Sequence, residues 1–189
     1  ILLAISFIMI FVATPLWVPF VVIGLIGVAG AGGLLLTQGY RMERITVWLD
    51  PAASEKGHQT IQGLYAIGSG GLFGKGLGQS MQKLGFLPEA NNDMIFSVIC
   101  EELGLFGALC VLALFFALIW RFMVIAVNAP DLYGSMIVVG VIAHIGIQVF
   151  INIAVATNTI PNTGIPLPFI SYGGSSLVFM LLEMGLVLS

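Results

Sequence analysis

The chain has 189 residues, of which 59% are hydrophobic and only 8% charged, and it carries a net charge of −3. An ordinary soluble domain has about 25% charged residues, so this composition excludes a water-soluble fold. Five of the six basic residues, Arg41, Arg44, Lys56, Lys75 and Lys83, fall between residues 40 and 92 among Glu43, Asp50, Glu55 and Glu89. That mixture is a polar surface and excludes a nucleic-acid-binding tract.

Residues 1–39 contain no Asp, Glu, Lys, Arg or His, and about 20 apolar residues cross a bilayer as helix. Two spans are therefore expected, over about 1–13 and 20–38. Pro15 and Pro19, which lack N–H donors, and the interface-favouring Trp17 make the turn between them. The chain starts inside an apolar run at Ile1 and stops inside one at Ser189, so the helix count is expected to be a lower bound. Gly24, Gly27, Gly30 and Gly33 recur every third residue, a ridge that lets another helix approach closely.

After the polar stretch 39–93, a third span is expected over 94–120. The turn Asn128-Ala129-Pro130-Asp131 lies beyond it, and a fourth span follows over 132–156. Cys100 and Cys110 are about 15 Å apart along the third helix, too far for a disulfide, and read as small core residues. On the fourth span His144, Gln148 and Asn152 recur every fourth residue as one polar stripe. Polar groups are costly against lipid, so the stripe should face the bundle interior or a wet cavity. For Gln148 and Asn152, interhelical hydrogen bonding is the plainer reading. Pro161, Gly164, Pro166 and Pro168 break the helix over 157–172, and a last span is expected over 173–189. Its N-terminal turn holds Ser171, Ser175 and Ser176, whose neighbouring N–H groups suit an anion or a simple cap.

Familiar motifs fail. Gly68 through Gly76 lacks the glycine and hydroxyl positions of a phosphate loop, and Phe73 blocks the dinucleotide pattern. Gly173 through Leu177 lacks the last glycine of a nucleophile elbow, and His58 and His144 are not at metal-ligand spacing. The surviving constellation is Leu87 through Ser97 with Glu101 and Glu102, where a polar loop turns into a span. A helix beginning near Asp93 puts Asp93, Ser97 and Glu101 on one face and turns Glu102 elsewhere. Asp93 reads either as a first-turn acid that caps the helix or as a catalytic carboxylate.

Several ordered blocks now resemble one family. They are Tyr40-Arg41 with Arg44 and Leu49-Asp50-Pro51; Ala66 through Gly71 with Gly74 through Gly78; Leu87-Pro88-Glu89 with Asp93; Glu101-Glu102-Leu103-Gly104; and Pro161 through Ser176. Together they resemble the SEDS family (shape, elongation, division and sporulation), the FtsW, RodA and SpoVE proteins. Members mostly read Thr-Asp-Phe where this chain has Asn92-Asp93-Met94, and the acid is retained. Gly76 through Leu84 is more similar to the FtsW and SpoVE branch, of division or sporulation, than to the elongation branch.

The resemblance implies an all-α, polytopic transmembrane helix bundle, a fragment of a roughly ten-helix protein, in the bacterial cytoplasmic membrane. One large extracytoplasmic loop would cover 39–93 and a second 157–172. Basic residues alone would place the first loop inside, but that rule weakens for loops near this length, and the resemblance places it outside. The implied activity is a peptidoglycan glycosyltransferase polymerising lipid II, with Asp93 as general base. Arg41, Arg44, Lys75 and Lys83 would face the pyrophosphate. Glu89, Gln79, Ser80, Ser171 and Ser175 are further substrate-binding candidates, and Glu101, Glu102, His144, Gln148 and Asn152 support the site. A Mg²⁺ or Mn²⁺ ion would use Glu89 and Asp93; no organic cofactor is implied. Expected partners are a class B penicillin-binding protein, with its single span docked beside the glycine ridge, and other division or elongation membrane proteins. Two competing readings are a flippase for lipid-linked sugars, whose pathway the His144 stripe would line, and a noncatalytic division scaffold.

Overall fold

The computed structural model describes residues 1–14, 18, 21–27, 30, 39–53, 57–84 and 92–189, apart from the side chains of 39–43, 53 and 84. Among these residues the chain is helical and has no strand: α1 (Leu2–Ala13), α2 (Gly39–Leu49), α3 (His58–Gly70), α4 (Ile95–Asn128), α5 (Leu132–Ala156) and α6 (Gly174–Leu188), with 3₁₀ turns at Pro51–Ala53 and Gln82–Leu84. Residues 21–27, in the second expected span, are helical too.

α5 is central, with α1, α4 and α6 packed on it and α3 packed on α4. The core is Phe96, Phe115 and Phe122 of α4 against Val141, Ile145 and Val149 of α5, closed by Leu167, Met180 and Val187. Apolar side chains such as Leu114, Phe116, Trp120 and Phe150 instead point outward and are at least 68% exposed, as a lipid-facing surface requires. Two described helices, α4 with 34 residues and α5 with 25, are long and apolar enough to cross a membrane. Nothing among the described residues lies within 4 Å of a Cβ built at Gly24, Gly27 or Gly30. Within that set no other helix packs on the expected ridge; Gly33 lies outside it.

The third helix differs from its expected form in two ways. It runs past Trp120 and Arg121 to Asn128, where Asn128 Nδ2 donates to the Val124 carbonyl and Pro130 forbids continuation. The following helix is capped by the Asp131 carboxylate, which accepts from the Gly134 N–H. Second, α4 is broken at Gly104, whose φ of 68° and ψ of −167° are not helical. Residues 105–128 form the uninterrupted part, about 36 Å of helix, enough for a hydrocarbon core of about 30 Å.

The break is filled by the turn that follows α3. An unbroken helix would pair Leu105 N–H with Glu101 C=O and Phe106 N–H with Glu102 C=O. Here Lys75 N–H and Gly76 N–H take those two carbonyls, at 2.9 and 3.0 Å, while Leu105 and Phe106 donate to Gly71 and Leu72 carbonyls at 2.9 and 3.2 Å. All four displaced backbone groups are thus satisfied, as burial demands. The fit needs glycine on both sides. A Cβ at Gly104 would meet Gly74 N at 2.3 Å, and one at Gly74 would meet the Glu102 carbonyl oxygen at 2.2 Å. Among its described residues the stretch 39–93, expected as one polar loop, contains the helices α2 and α3, the second laid along the first turns of α4.

Candidate functional site

The helix begins at Ile95 rather than near Asp93, which lies in the turn just before it; Asp93 and, on the first turns of α4, Ser97 and Glu101 form one inward face, 8%, 0% and 0% exposed. α3 lies against it in register. Gln59 Nε2 donates to Asp93 Oδ1 at 3.4 Å, Gly63 backs on Ser97, and Ser69 Oγ reaches Glu101 Oε1 at 3.4 Å. Small or amide-bearing residues at these α3 positions let the two helices approach without excluding the polar side chains between them.

Asp93 sits where three segments converge. From below, Asn152 Nδ2 donates to the Asp93 and Ile165 carbonyls, both at 2.8 Å, pinning the mouth of α4 to the 157–172 loop. From the side, Asn162 Nδ2 donates to Gln59 Oε1 at 3.2 Å, so one amide chain runs from Asn162 through Gln59 to the Asp93 carboxylate. From above, α2 brings Arg44 and Trp48, one turn apart on one face. Arg44 Nη1 donates to the Asn162 carbonyl at 2.8 Å and Trp48 Nε1 to the Asn158 carbonyl at 2.9 Å. Ser171 Oγ accepts from Leu167 N–H at 2.7 Å and donates to the Asn92 carbonyl at 2.6 Å, which ties the start of the last span to the same junction.

Of the expected site residues, Asp93, Arg44, Asn152 and Ser171 are therefore brought together. The Arg41 side chain and Glu89 lie outside the described residues. Lys75 and Ser80 belong to a second cluster, around Glu101. Lys75 Nζ is 2.7 Å from Glu101 Oε1, and Ser80 Oγ donates to Glu101 Oε2 at 2.5 Å. Ser80 Oγ also accepts from Lys83 N–H at 3.1 Å. The Lys75 charge is thus matched inside the protein. Gln79 and Lys83 are exposed, as is Ser175 in the first turn of α6, while Glu102 Oε1 is buried without a hydrogen-bond partner among the described residues. Among those residues no group of three or more His, Cys, Asp or Glu is placed to hold a metal; Asp93 is the described carboxylate at the junction. Cys100 and Cys110 are free thiols.

Of the other stripe residues, His144 reaches α6 and Gln148 bonds back to His144 within α5. His144 Nδ1 is 2.7 Å from Glu183 Oε1, and His144 Nε2 is 2.8 Å from Gln148 Nε2. Sequence reasoning missed Glu183, although a lone acid inside an apolar span is the kind of signal that marks a buried partner. Gln59 and Asn162 were missed too, and nothing in their local sequence points at Asp93.

A buried acid at the mouth of a broken helix, in an all-helical bundle with two described helices long and apolar enough to cross a membrane, fits the class of helical membrane proteins with a polar site at one end. The chain belongs to the FtsW/RodA/SpoVE family, described as cell cycle proteins, whose match covers residues 1–189. It is 54% identical over 186 residues to stage V sporulation protein E of Bacillus subtilis, covering 96% of this chain and 50% of that one. It is 40% identical over 190 residues to the probable peptidoglycan glycosyltransferase FtsW of Geobacter sp. strain M18, covering 100% of this chain and 52% of that one. The fold matches a chain in a structure titled for the coordination of polymerization and crosslinking by a peptidoglycan synthase complex. There the TM-score is 0.75 at 28% identity, over 98% of this chain and 52% of that one. It also matches RodA of Thermus thermophilus with a TM-score of 0.61 at 31% identity, over 98% of this chain and 46% of that one. The chain spans about half the length of these relatives.

Proposed function

We propose that the chain is the later, site-bearing half of a roughly ten-helix peptidoglycan glycosyltransferase of the bacterial cytoplasmic membrane. It would polymerise lipid II on the outer face, for division or sporulation. The observation that carries this reading is the placement of Asp93. It is buried at a loop–helix junction, where a substrate anchored by its lipid tail presents its head group, and its carboxylate is oriented by Gln59.

In this reading Asp93 accepts the proton of the acceptor sugar hydroxyl as that oxygen attacks the anomeric carbon of the donor. The lipid pyrophosphate departs with the bonding electrons. A general base in this role contributes about 10²–10⁴-fold in rate. The Gln59 amide fixes one carboxylate oxygen as a hydrogen-bond acceptor. The Asn162-to-Gln59 bond polarises that amide and strengthens its donation. Among the described cations Arg44, held over the site by the Asn162 carbonyl, is placed to meet developing charge on the pyrophosphate, with Arg41 one turn earlier on the same helix. The Mg²⁺ or Mn²⁺ ion expected on Asp93 and Glu89 would, with Asp93 acting as base, be held by Glu89 and substrate phosphates and would supply further charge neutralisation. The expected partner is a class B penicillin-binding protein, in keeping with the synthase complex named for the structural relative.

Polymerisation of labelled lipid II by the full-length parent with its cognate partner, wild type against Asp93→Asn, tests the proposal. Loss of polymer with folding and lipid II binding retained supports it. Near-normal polymer from the variant sinks the assignment of the base, and no polymer from either protein restores the flippase and scaffold readings.

A further inference from the structure

The segment 71–81, whose first half closes the break in α4, turns its apolar side chains outward. Among the described residues Leu72, Phe73, Leu77 and Met81 are 57%, 79%, 77% and 60% exposed. The Phe73 ring stacks on Phe106 of α4 at a centroid distance of 5.3 Å, and Leu105 and Phe106 are themselves 51% and 55% exposed. The apolar tip is therefore continuous with the outward apolar side of α4 and is not a patch isolated on a polar loop.

Two observations place this tip at the edge of the hydrocarbon. The first is its position along α4. Trp120 and Arg121 are exposed on that helix and belong near one boundary, because tryptophan favours the interface and a long basic side chain reaches out to the head groups. Leu105 lies 16 residues before Arg121, about 24 Å of helix. With the arginine reaching outward, the opposite boundary of a core about 30 Å thick falls close to Leu105, and so to the tip beside it. The second is how the tip treats its polar groups. The N–H groups of Gly74, Lys75, Gly76 and Gln79 donate to the carbonyls of Gly70, Glu101, Glu102 and Gly76, so this irregular backbone makes little demand on water. Lys75 is the one Asp, Glu, Lys or Arg between His58 and Lys83, and its ammonium is paired with Glu101 at 2.7 Å. A loop standing in water has no need of either device.

We propose that residues 72–81 form a membrane-seated tip, whose Leu72, Phe73, Leu77 and Met81 side chains dip into the acyl boundary of the leaflet on the Asp93 side. The depth is that of interfacial amphipathic helices, about 5–10 Å. Seated in this way, the tip holds α3, and with it Gln59 at the Asp93 junction, against the bilayer surface. The proposal is independent of the glycosyltransferase reading, since it uses only helix length and the tip's own surface.

Spin labelling of the full-length protein in bilayers of phosphatidylethanolamine and phosphatidylglycerol tests it. Phe73→Cys and, separately, Leu77→Cys carry the nitroxide, in a background without exposed cysteines such as Cys110. Leu114→Cys, at a position 71% exposed on the apolar surface of α4, is the lipid reference, and Lys83→Cys, at an exposed polar position, is the aqueous one. Collisions of the label with oxygen, which concentrates in lipid, are compared with collisions with a nickel chelate, which stays in water. At both tip positions the oxygen-to-nickel ratio should rise above that of Lys83→Cys and stay below that of Leu114→Cys, as a shallow depth requires. Nickel access equal to that at Lys83→Cys would put the tip in water and overturn the proposal. Low access to both reagents would overturn it too, since the tip would then be covered by protein: the rest of the parent chain, a partner's span or a second copy. Leu77→Cys leaves the stack of Phe73 on Phe106 in place and decides the outcome if Phe73→Cys unsettles the turn.

Discussion

Lys75 meets Glu101 twice: its ammonium lies 2.7 Å from Oε1, and its backbone N–H donates to the Glu101 carbonyl oxygen at 2.9 Å. The same residue pair thus closes the break in α4 and balances a carboxylate that is 0% exposed. The Lys75 side chain is 35% exposed, and this asymmetry sets the outcome of removing either partner.

Lys75→Ala leaves Glu101 buried without its counter-charge and should cost a large share of stability, though less than the about 3–5 kcal/mol of a fully buried pair, because the lysine side chain is 35% exposed and already partly screened by solvent. Glu101→Gln leaves a lysine that can turn to solvent and keeps an amide for Ser80, so it should cost clearly less. Thermal unfolding of the detergent-purified full-length protein, completed as a double-mutant cycle, checks the order. Equal losses would mean that Glu101 is solvated in the folded protein.

Gly104→Ala should expel the 71–76 turn, because the new Cβ would lie 2.3 Å from Gly74 N and 2.6 Å from the Leu72 carbonyl oxygen at a φ of +68°. Gly74→Ala should behave alike. At Gly78, with a φ of +76°, a Cβ meets nothing within 4 Å among the described residues, so Gly78→Ala should incur backbone strain alone. Limited tryptic cleavage at Lys75 reads the difference: fast in the first two variants and near wild type in the third. Protection of Lys75 in Gly104→Ala would show that the turn does not depend on the break.

Much of this arrangement was legible in the sequence, for identifiable reasons. The spacing of Ser97 and Glu101 follows from helix geometry alone, and so does the stripe from His144 to Asn152, whereas Asp93 joins the acid face from the turn before Ile95. The break at Gly104 was not legible. Nothing in the sequence of α4 singles out Gly104 from Gly107, the other glycine of that helix, and the groups that stabilise the break come from residues 71–76, about thirty positions earlier. Lys75 looked like a cation available to phosphate because its partner, Glu101, sits across a tertiary contact. Gln59 and Asn162 are ordinary loop and helix-start amides until the fold brings both to Asp93.

If the Gln59 amide orients a working base, replacing it with a like charge should shift the pH dependence as well as the rate. In Gln59→Glu a second carboxylate beside Asp93 disfavours its ionised form. The base then becomes protonated at higher pH than in the wild type, and the acidic limb of the polymerisation profile moves upward. Gln59→Met, which removes the hydrogen bond without adding charge, should lower the rate with a smaller displacement of that limb. An unmoved limb in Gln59→Glu would separate Gln59 from the titration of the base.

The polar stripe on α5 should divide into two functions. Asn152 is fully buried and carries both bonds that hold Asp93 and the 157–172 loop together. Asn152→Leu should therefore depress polymerisation by displacing the base. His144 pairs with Glu183 of α6 at 2.7 Å and, within α5, with Gln148 at 2.8 Å, contacts that do not reach Asp93. Interhelical hydrogen bonds in membranes contribute about 0.6 kcal/mol on average and about 1.7 at most. His144→Phe should thus lower thermal stability by about that much and leave the rate of polymerisation per folded molecule near wild type. A flippase predicts the reverse, since a pathway lined by the stripe would lose transport with His144. Comparing rate per folded molecule in Asn152→Leu and His144→Phe decides between them. A larger loss in His144→Phe would move the functional centre from the loop–helix junction into the middle of the bundle.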